Sequence, residues 1–181
     1  MTKISATDAY EFVAADRPTP LILLCDHASN AVPAEYAALG LPQAQFERHI
    51  GYDIGARDLT LGLAARLGAA AVLSRFSRLL IDPNRGLDDP TLIMRISDGA
   101  AVPGNRDVDE AERQRRIVRF HAPYHGAIAQ TVAGVKGQGL TPLLVSIHSF
   151  TPVWRGWPRP WHVGILWDQD EKVARAMIDG F

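Results

Sequence analysis

Two short apolar runs, each followed at once by a polar turn that contains a histidine, constrain the fold of this chain most strongly. LILLC (residues 21–25) and LLVSI (residues 143–147) are too short for core helices and have the composition of strands buried on both faces of a sheet. In open α/β sheets, ligands bind at the carboxyl ends of the strands. The sequence therefore predicts an α/β fold with a site near His27 and His148.

Further helices and strands are predicted between and after these runs. Apolar residues at helical spacing predict a helix over residues 53–67, with Gly68 as its C-cap. A second helix is predicted over residues 109–135, and Pro123 should kink or split it. Residues 83–104 are rich in Pro, Gly, Asp and Asn and predict a long loop, which is a common place for function. Additional strands are predicted over residues 70–76, 78–82 and 163–167, and a last helix over residues 170–178.

Composition limits the classes of function. A chain of 181 residues with 47% hydrophobic residues predicts one domain, spanning residues 1–181, that can bury a full core. The formal net charge of −1 gives no basic field for phosphates, so nucleic acid is not an expected partner. The one cysteine, Cys25, cannot form an internal disulfide or a cysteine-based zinc cluster, and an inert buried thiol is expected. With no apolar window long enough to span a bilayer, we expect a soluble cytoplasmic protein without a membrane partner.

The two strand-end histidines indicate a metal site. Imidazoles on rigid strand ends can hold zinc in a fixed geometry, and a catalytic zinc commonly has three protein ligands. Asn30 and Asp53 are the candidates for the third ligand, and the anionic Asp53 is the better one for zinc. Asp53 could instead cap the helix that follows it. The chain has no GxSxG and no GxxxxGK[ST] motif, so a serine nucleophile and nucleotide-dependent chemistry have no support.

Two other clusters suggest chemistry that the residues around them do not support. His121 and His125 have the spacing of an HExxH zinc helix, but the glutamate is absent and Pro123 interrupts the turn, so we predict no second zinc site. Aromatic residues near the C-terminus could stack on nucleic-acid bases. Nearby prolines and the near-neutral charge favour a loop that covers the pocket instead. These residues are Trp154, Trp157 and Trp161, interleaved with Arg155 and Arg159.

Six motifs occur in the order that is seen in one hydrolase family. They are CDHASNAVP (25–33), HIGYDIGA (49–56), SRLLIDPNR (77–85), PYH (123–125), SIHSF (146–150) and VGILWDQD (163–170). Through these motifs, nearly the whole chain from residue 21 onward resembles the N-formylglutamate amidohydrolases. That family is similar in fold to the zinc carboxypeptidases and aspartoacylases. The resemblance implies a three-layer α/β/α fold with a mixed central sheet, and Zn²⁺ as the cofactor.

The resemblance also implies roles for individual residues. In the relatives, an HxxE element and a later strand-end histidine hold the zinc, which makes His27 and His148 the two histidine ligands. Asn30 replaces the glutamate of HxxE, so the third metal position passes to Asp53 and Asn30 is assigned to the substrate. His125, in the PYH element, is assigned to catalysis as a substrate-facing or proton-handling group. The alternative for His125 is a histidine packed on the inner face of its helix.

The Asn84-Arg85 pair resembles the Asn-Arg element that binds a substrate carboxylate in carboxypeptidases. Guanidinium offers a planar, bidentate fork to a carboxylate, and an asparagine adds a neutral donor beside it. The pair could also do no more than stabilise a turn after Pro83. Arg78 could bind the second carboxylate of a dicarboxylic substrate, or it could pair with Asp82.

These assignments imply a zinc-dependent amidohydrolase that acts on a small N-acyl amino acid, with N-formyl-L-glutamate, cleaved to formate and glutamate, as the leading substrate. The family usually continues beyond the position of Phe181 into a Glu-x-Arg strand whose glutamate is the expected general base. We therefore expect one of three situations: the chain is a fragment, the protein has lost this part, or a partner chain supplies it. Two alternatives stay open: a non-catalytic carboxylate-binding protein on the same scaffold, and a hydrolase of a different carboxylate-bearing amide.

Overall fold

The computed structural model describes residues 9–154 and 156–181, which group into two compact units divided between Phe150 and Thr151. Among these residues, no helix is both long and apolar enough to cross a bilayer. The first unit contains strands β1 (Tyr10–Val13), β2 (Leu21–Cys25), β3 (Ala70–Ser74), β4 (Ile96–Ser97), β5 (Ala100–Ala101) and β6 (Leu143–Ser146), and helices α1 (Gln43–Phe46), α2 (Ala56–Leu67), α3 (Glu110–Arg116) and α4 (Ala122–Gly137). The second unit contains strands β7 (Val153–Trp154) and β8 (Trp157–Pro158) and helix α5 (Glu171–Asp179).

Four strands of the first unit form one mixed sheet in the order β1-β3-β2-β6. Strand β2 is parallel to both of its neighbours, and Leu23 lies opposite Ala71 of β3 and Val145 of β6. Strand β1 is antiparallel to β3 and forms one edge of the sheet. Because β2 and β6 run in the same direction, the polar residues that follow them reach the same edge, as the sequence predicts.

Alternate residues of β2 face helices on opposite sides of the sheet. Leu23 and Cys25 lie in a buried cluster with α2, whereas Ile22 and Leu24 lie in a second cluster that contains Tyr124 of α4. Burying one such aliphatic side chain stabilises a fold by about 1.5–3 kcal/mol, which accounts for an apolar residue at every position of this strand. The predicted three-layer α/β/α arrangement with a mixed central sheet is confirmed.

Helix α2 begins later than the sequence predicts. Gly55 is its N-cap, in the left-handed conformation with φ 81°, and Gly68 ends the helix at φ 65°, as predicted. The N–H of Gly68 donates to the carbonyl of Ala64. The late start leaves Asp53 in the loop before the helix, where its side chain is available to the sheet edge.

The predicted helix over residues 109–135 is divided where proline was expected to disturb it. Helix α3 is capped by Asp109, whose side chain accepts the Glu112 N–H at 2.8 Å. Residues Ile117–His121 then form a π-helical turn, and α4 follows with Pro123 in its first turn. The backbone stays helical through this turn, where the Ala122 N–H donates to Ile117 O, and the wider π-helical turn accommodates a residue that has no N–H.

Two predicted strands are wrong. Residues 78–82 form a turn and irregular backbone, and the Asp82 N–H donates to Leu92 O at 2.8 Å instead of to a strand. The apolar side chains of this run are fully buried, so its hydrophobicity reflects burial rather than a sheet. Residues 163–167 also form no strand, and Val163 and Leu166 are exposed. Strand β1, by contrast, was not predicted. The long loop over residues 83–104 is confirmed, with the small β4–β5 hairpin within it.

Candidate metal centre

Three side chains that the sequence assigns to a metal come together at the carboxyl edge of the sheet. His27 follows β2, His148 follows β6, and Asp53 lies in the loop before α2. One possible ligand atom from each lies within 4.8 Å of the other two. The Asp53 N–H donates to His27 O at 3.0 Å, which ties the loop to the turn after β2. Rigid strand ends therefore position both histidines, and a backbone hydrogen bond positions the aspartate.

The carboxylate of Asp53 lies between the two imidazoles. Its Oδ2 is 2.8 Å from His148 Nδ1 and 3.4 Å from His27 Nδ1, and it accepts the Ser149 N–H at 3.3 Å. The cap of α2 is Gly55, with no side-chain hydrogen bond, so the alternative that Asp53 caps the helix is wrong.

The nitrogen atoms of both histidines are arranged in the same way. Each Nδ1 faces Asp53, while His27 Nε2 lies 2.7 Å from Asp82 Oδ1 and His148 Nε2 lies 3.1 Å from Asp26 Oδ2. Histidines that bind metals commonly hold their second nitrogen on a carboxylate in this way. His27 Nδ1 is buried and makes no hydrogen bond, which leaves it free to bind an ion. Two imidazoles and a carboxylate are donors that suit zinc, so these residues fit the cofactor.

Asp26 supports His148 from within a buried hydrogen-bond network. Its Oδ2 accepts a hydrogen bond from Ser146 Oγ at 2.6 Å, and its Oδ1 accepts one from Tyr124 OH at 2.8 Å. Burial raises the pKa of Asp26, but hydrogen bonds from His148, Ser146 and Tyr124 outweigh it and hold the pKa at about 2. The carboxylate is therefore ionised at neutral pH and joins α4 to β6.

Asp82 supports His27 in the same manner. This fully buried carboxylate also accepts from Arg78 Nη2 at 3.0 Å and from the Asn84 N–H at 2.9 Å. Burial raises its pKa, but the hydrogen bond and charge of His27 and the charge of Arg78 outweigh it, so the pKa lies below its usual value. Sequence reasoning gave no site role to Asp26 or Asp82. The available signal was their position, since each ends an apolar run.

The charges of the two imidazoles and of the aspartates around them stabilise one another. Hydrogen bonds to Asp26 and Asp53 raise the pKa of His148 to about 9. Burial lowers the pKa of His27, but its contacts with Asp53 and Asp82 outweigh burial, and the pKa is raised. Burial raises the pKa of Asp53, but its hydrogen bonds with His148 and His27 and their charges outweigh burial, and the pKa is lowered. Protons on the imidazoles thus supply positive charge that a divalent cation could replace.

The residues assigned to substrate carboxylates lie beside Asp82. Arg78 pairs with Asp82, as one of the two alternatives from the sequence predicts. It also approaches Asp53, with Nη1 3.5 Å from Oδ1. Asn84 and Arg85 are exposed, and Arg85 Nε lies 3.9 Å from Asp82 Oδ2. The loop that carries the Asn-Arg element is therefore attached to the aspartate that supports His27. Binding of substrate carboxylates by these residues stays a prediction.

The other two assigned residues bind backbone carbonyls. Asn30 Nδ2 donates to Phe46 O at 3.1 Å and lies 3.4 Å from Glu47 Oε1, so its amide attaches the turn after β2 to α1. His125 Nε2 donates to Pro83 O at 2.9 Å. Their roles toward a substrate stay predictions. Cys25 is fully buried, and burial raises the pKa of its thiol to about 12, in keeping with the expected inert thiol.

The tryptophans that were expected to cover the pocket belong to the second unit. Trp154 pairs with Trp157 across the β7–β8 hairpin, and the Arg159 guanidinium lies 5.5 Å from the centre of the Trp154 ring. Trp157 and Trp161 are exposed. Arg155 lies outside the described residues. Covering of the pocket therefore stays a prediction.

Comparison with known proteins identifies the family. A family model described as N-formylglutamate amidohydrolase matches residues 19–181. The chain belongs to the N-formylglutamate amidohydrolase family. Among curated proteins, none matches the chain significantly. This membership confirms the resemblance seen in the six motifs, and it places the chain among amidohydrolases, which act on small-molecule amides.

Two solved structures are similar to this member of the N-formylglutamate amidohydrolase family. The gene product Atu2144 from Agrobacterium tumefaciens is 36% identical with a TM-score of 0.92, over 96% of this chain and 69% of that one. The N-formylglutamate amidohydrolase from Ralstonia eutropha JMP134 is 26% identical with a TM-score of 0.66, over 79% of this chain and 57% of that one. The chain thus spans a little over two thirds of the first relative and less than two thirds of the second.

Proposed function

We propose that this protein is a cytoplasmic, zinc-dependent amidohydrolase that cleaves the amide of an N-acyl amino acid. The leading substrate is N-formyl-L-glutamate, with formate and glutamate as products. One observation carries the proposal: the buried, unbonded Nδ1 of His27 faces Asp53 beside Nδ1 of His148. The family description and the name of the Ralstonia relative support the choice of substrate.

The metal would be held by His27, Asp53 and His148. Zinc in such a site polarises an amide carbonyl and activates water. Asp82 and Asp26 hold the Nε2 atoms of the two histidines, which favours the tautomer whose Nδ1 carries no proton and can bind a metal. These carboxylates thus orient the ligands without touching the metal themselves.

The substrate would be held by its carboxylates. Asn84 and Arg85 are exposed and offer an amide and a guanidinium fork, which together suit one carboxylate. We assign a second carboxylate to Arg78, whose side chain is one-fifth exposed beside Asp53, and place Asn30 at the rim of the site. His125 supports the substrate site from α4. It either transfers a proton during the reaction or holds the loop that it binds.

Zinc content and formate release test the proposal together. We expect one zinc per chain by elemental analysis, and formate from N-formyl-L-glutamate in an enzymatic assay. His27→Ala and His148→Ala should each lose zinc and turnover while circular dichroism shows a retained fold. His49→Ala is the matched control, because the His49 imidazole pairs with Asp98 at 3.2 Å rather than with a candidate ligand.

The outcomes separate the alternatives. Stoichiometric zinc in the His27 or His148 variant, or no zinc in the unmodified protein, would refute the metal site. Zinc with binding of glutamate but no turnover would favour a carboxylate-binding protein on the same scaffold. Turnover of another N-acyl amino acid in place of N-formylglutamate would keep the chemistry and change the substrate.

A further inference from the structure

Two histidines bind the loop that carries the Asn84-Arg85 element. His121 Nε2 lies 3.0 Å from Arg85 O, and His125 Nε2 lies 2.9 Å from Pro83 O. A carbonyl oxygen can only accept a hydrogen bond, so both imidazoles donate from Nε2. The two carbonyls belong to the residues on either side of Asn84, so the backbone is held immediately before and after that side chain.

The two imidazoles support one another. They lie one helical turn apart, with ring centroids 4.3 Å apart and ring planes 32° from parallel. His125 also packs edge-on against the Tyr124 ring at 5.5 Å. His121 is buried, and burial outweighs its hydrogen bond to Arg85 O, so its pKa lies below the usual value. His121 is therefore a neutral ring at neutral pH whose one N–H is used on the loop.

The opposite side of the same loop is attached to the candidate metal centre. The Asn84 N–H donates to Asp82 Oδ1 at 2.9 Å, and the Arg85 N–H donates to Asp82 O at 3.2 Å. Asp82 in turn binds His27 Nε2. The backbone of residues 83–85 thus lies between α4 and the aspartate that supports a metal ligand, while the side chains of Asn84 and Arg85 are exposed.

We propose that His121 and His125 are positioning residues that fix the distance between the Asn84-Arg85 carboxylate-binding element and the metal centre. This inference rests on the proposed function. A loop that is held before the substrate arrives does not have to be ordered on binding, so its donors bind a carboxylate more tightly. It also holds that carboxylate at one distance from the scissile amide. The two histidines therefore contribute to selection of N-acyl amino acids over amides without a carboxylate.

The length of the side chain at position 125 provides the test. Glutamine places its amide nitrogen near the position of histidine Nε2, whereas asparagine reaches only the position of Nδ1. In the zinc-loaded protein, His125→Ala and His125→Asn should raise the KM for N-formylglutamate and the Kd for glutarate about tenfold, the effect of losing one hydrogen bond. His125→Gln should restore both values to within about threefold of the unmodified protein. In all three variants zinc content should stay close to that of the unmodified protein, and kcat should change less than KM.

A control variant on α4 and a second pair of variants at position 121 accompany this test. Lys136→Ala, an exposed change on the same helix, should leave KM and Kd unchanged. His121→Gln and His121→Asn should differ in the same direction as the corresponding pair at position 125. Melting temperatures identify any variant that fails to fold. In that case the comparison of KM and Kd is made between the Gln and Asn variants of matched stability.

Each outcome has a distinct meaning. An unchanged KM and glutarate Kd in His125→Ala would overturn the positioning role. A lower kcat at unchanged KM would assign His125 to proton transfer and would also overturn it. If the unmodified zinc-loaded protein neither releases formate nor binds glutarate, the proposed function fails, and this inference fails with it. If the unmodified protein releases formate and binds glutarate, and His125→Ala and His125→Asn match it in KM and Kd, this inference alone fails.

Discussion

Nε2 of His27 lies 2.7 Å from Oδ1 of Asp82, and both side chains are buried. This contact turns the other imidazole nitrogen toward Asp53 and keeps it free of a proton when a metal binds. Residues that hold a ligand in this way can affect a metal site nearly as strongly as the ligand itself.

Asp82→Asn should therefore weaken zinc binding by about 10- to 100-fold while the three ligands stay in place. An amide is neutral and stabilises the imidazole less than a carboxylate does. Competition with a chromophoric chelator measures the affinity. Asp89→Asn is the control, because Asp89 lies in the same loop but accepts from Thr91. Equal zinc affinities in the two variants would show that Asp82 does not support the metal.

Tyr124→Phe should destabilise the fold by about 1.5–3 kcal/mol, because it leaves the ionised, buried Asp26 with one hydrogen bond fewer. The aromatic ring remains, so packing against the sheet is little changed. Chemical denaturation measures the free energy of unfolding. Tyr52→Phe, which leaves Asp26 untouched, provides the comparison, and a loss of stability no greater than in that variant would contradict the role of the hydroxyl.

Zinc binding at neutral pH should release about one to two protons per ion. The pKa of His148 is raised to about 9 and that of His27 is also raised, so both imidazoles tend to carry protons that the metal must displace. The apparent zinc affinity should consequently increase with pH up to the range of these pKa values. Calorimetry in buffers of different ionisation enthalpy counts the protons, and a heat that is independent of the buffer would contradict displacement.

Arg85→Ala should raise the KM for N-formylglutamate about tenfold or more with little change in kcat, because its guanidinium would bind the carboxylate equally in the ground and transition states. Arg85→Lys should recover only part of the loss, since an ammonium lacks the bidentate fork. Steady-state kinetics measures both constants. Arg66→Ala, an exposed change on α2, is the control. An unchanged KM in Arg85→Ala would remove the residue from the substrate site.

The sequence predicted the parts of the fold that depend on local pattern. Strands β2 and β6 were recognisable because each is a short apolar run that ends in polar residues. The rule that ligands meet at the carboxyl ends of parallel strands then brought His27 and His148 together before any contact was known. Asp53 was a chemical choice between two candidates, and its place between the imidazoles favours that choice.

Other features depend on contacts between distant residues, which a single sequence does not display. Asp26 and Tyr124 are 98 positions apart, and nothing in the local pattern of either connects them. Strand β1 is short and only partly buried, and it is stabilised by pairing with β3. The apolar run at residues 78–82 predicts a strand, but full burial produces the same apolar composition in a turn.

The place of β2 between β3 and β6 has a consequence for how the protein emerges from the ribosome. Strand β3 follows β2 closely along the chain, but β6 and His148 are synthesised much later. Until then, one side of the most apolar strand has no neighbour, and such open edges are prone to aggregate. The nascent chain therefore has a long interval in which chaperones can bind. That interval ends when β6 pairs with β2, the same step that brings His148 to the candidate metal centre.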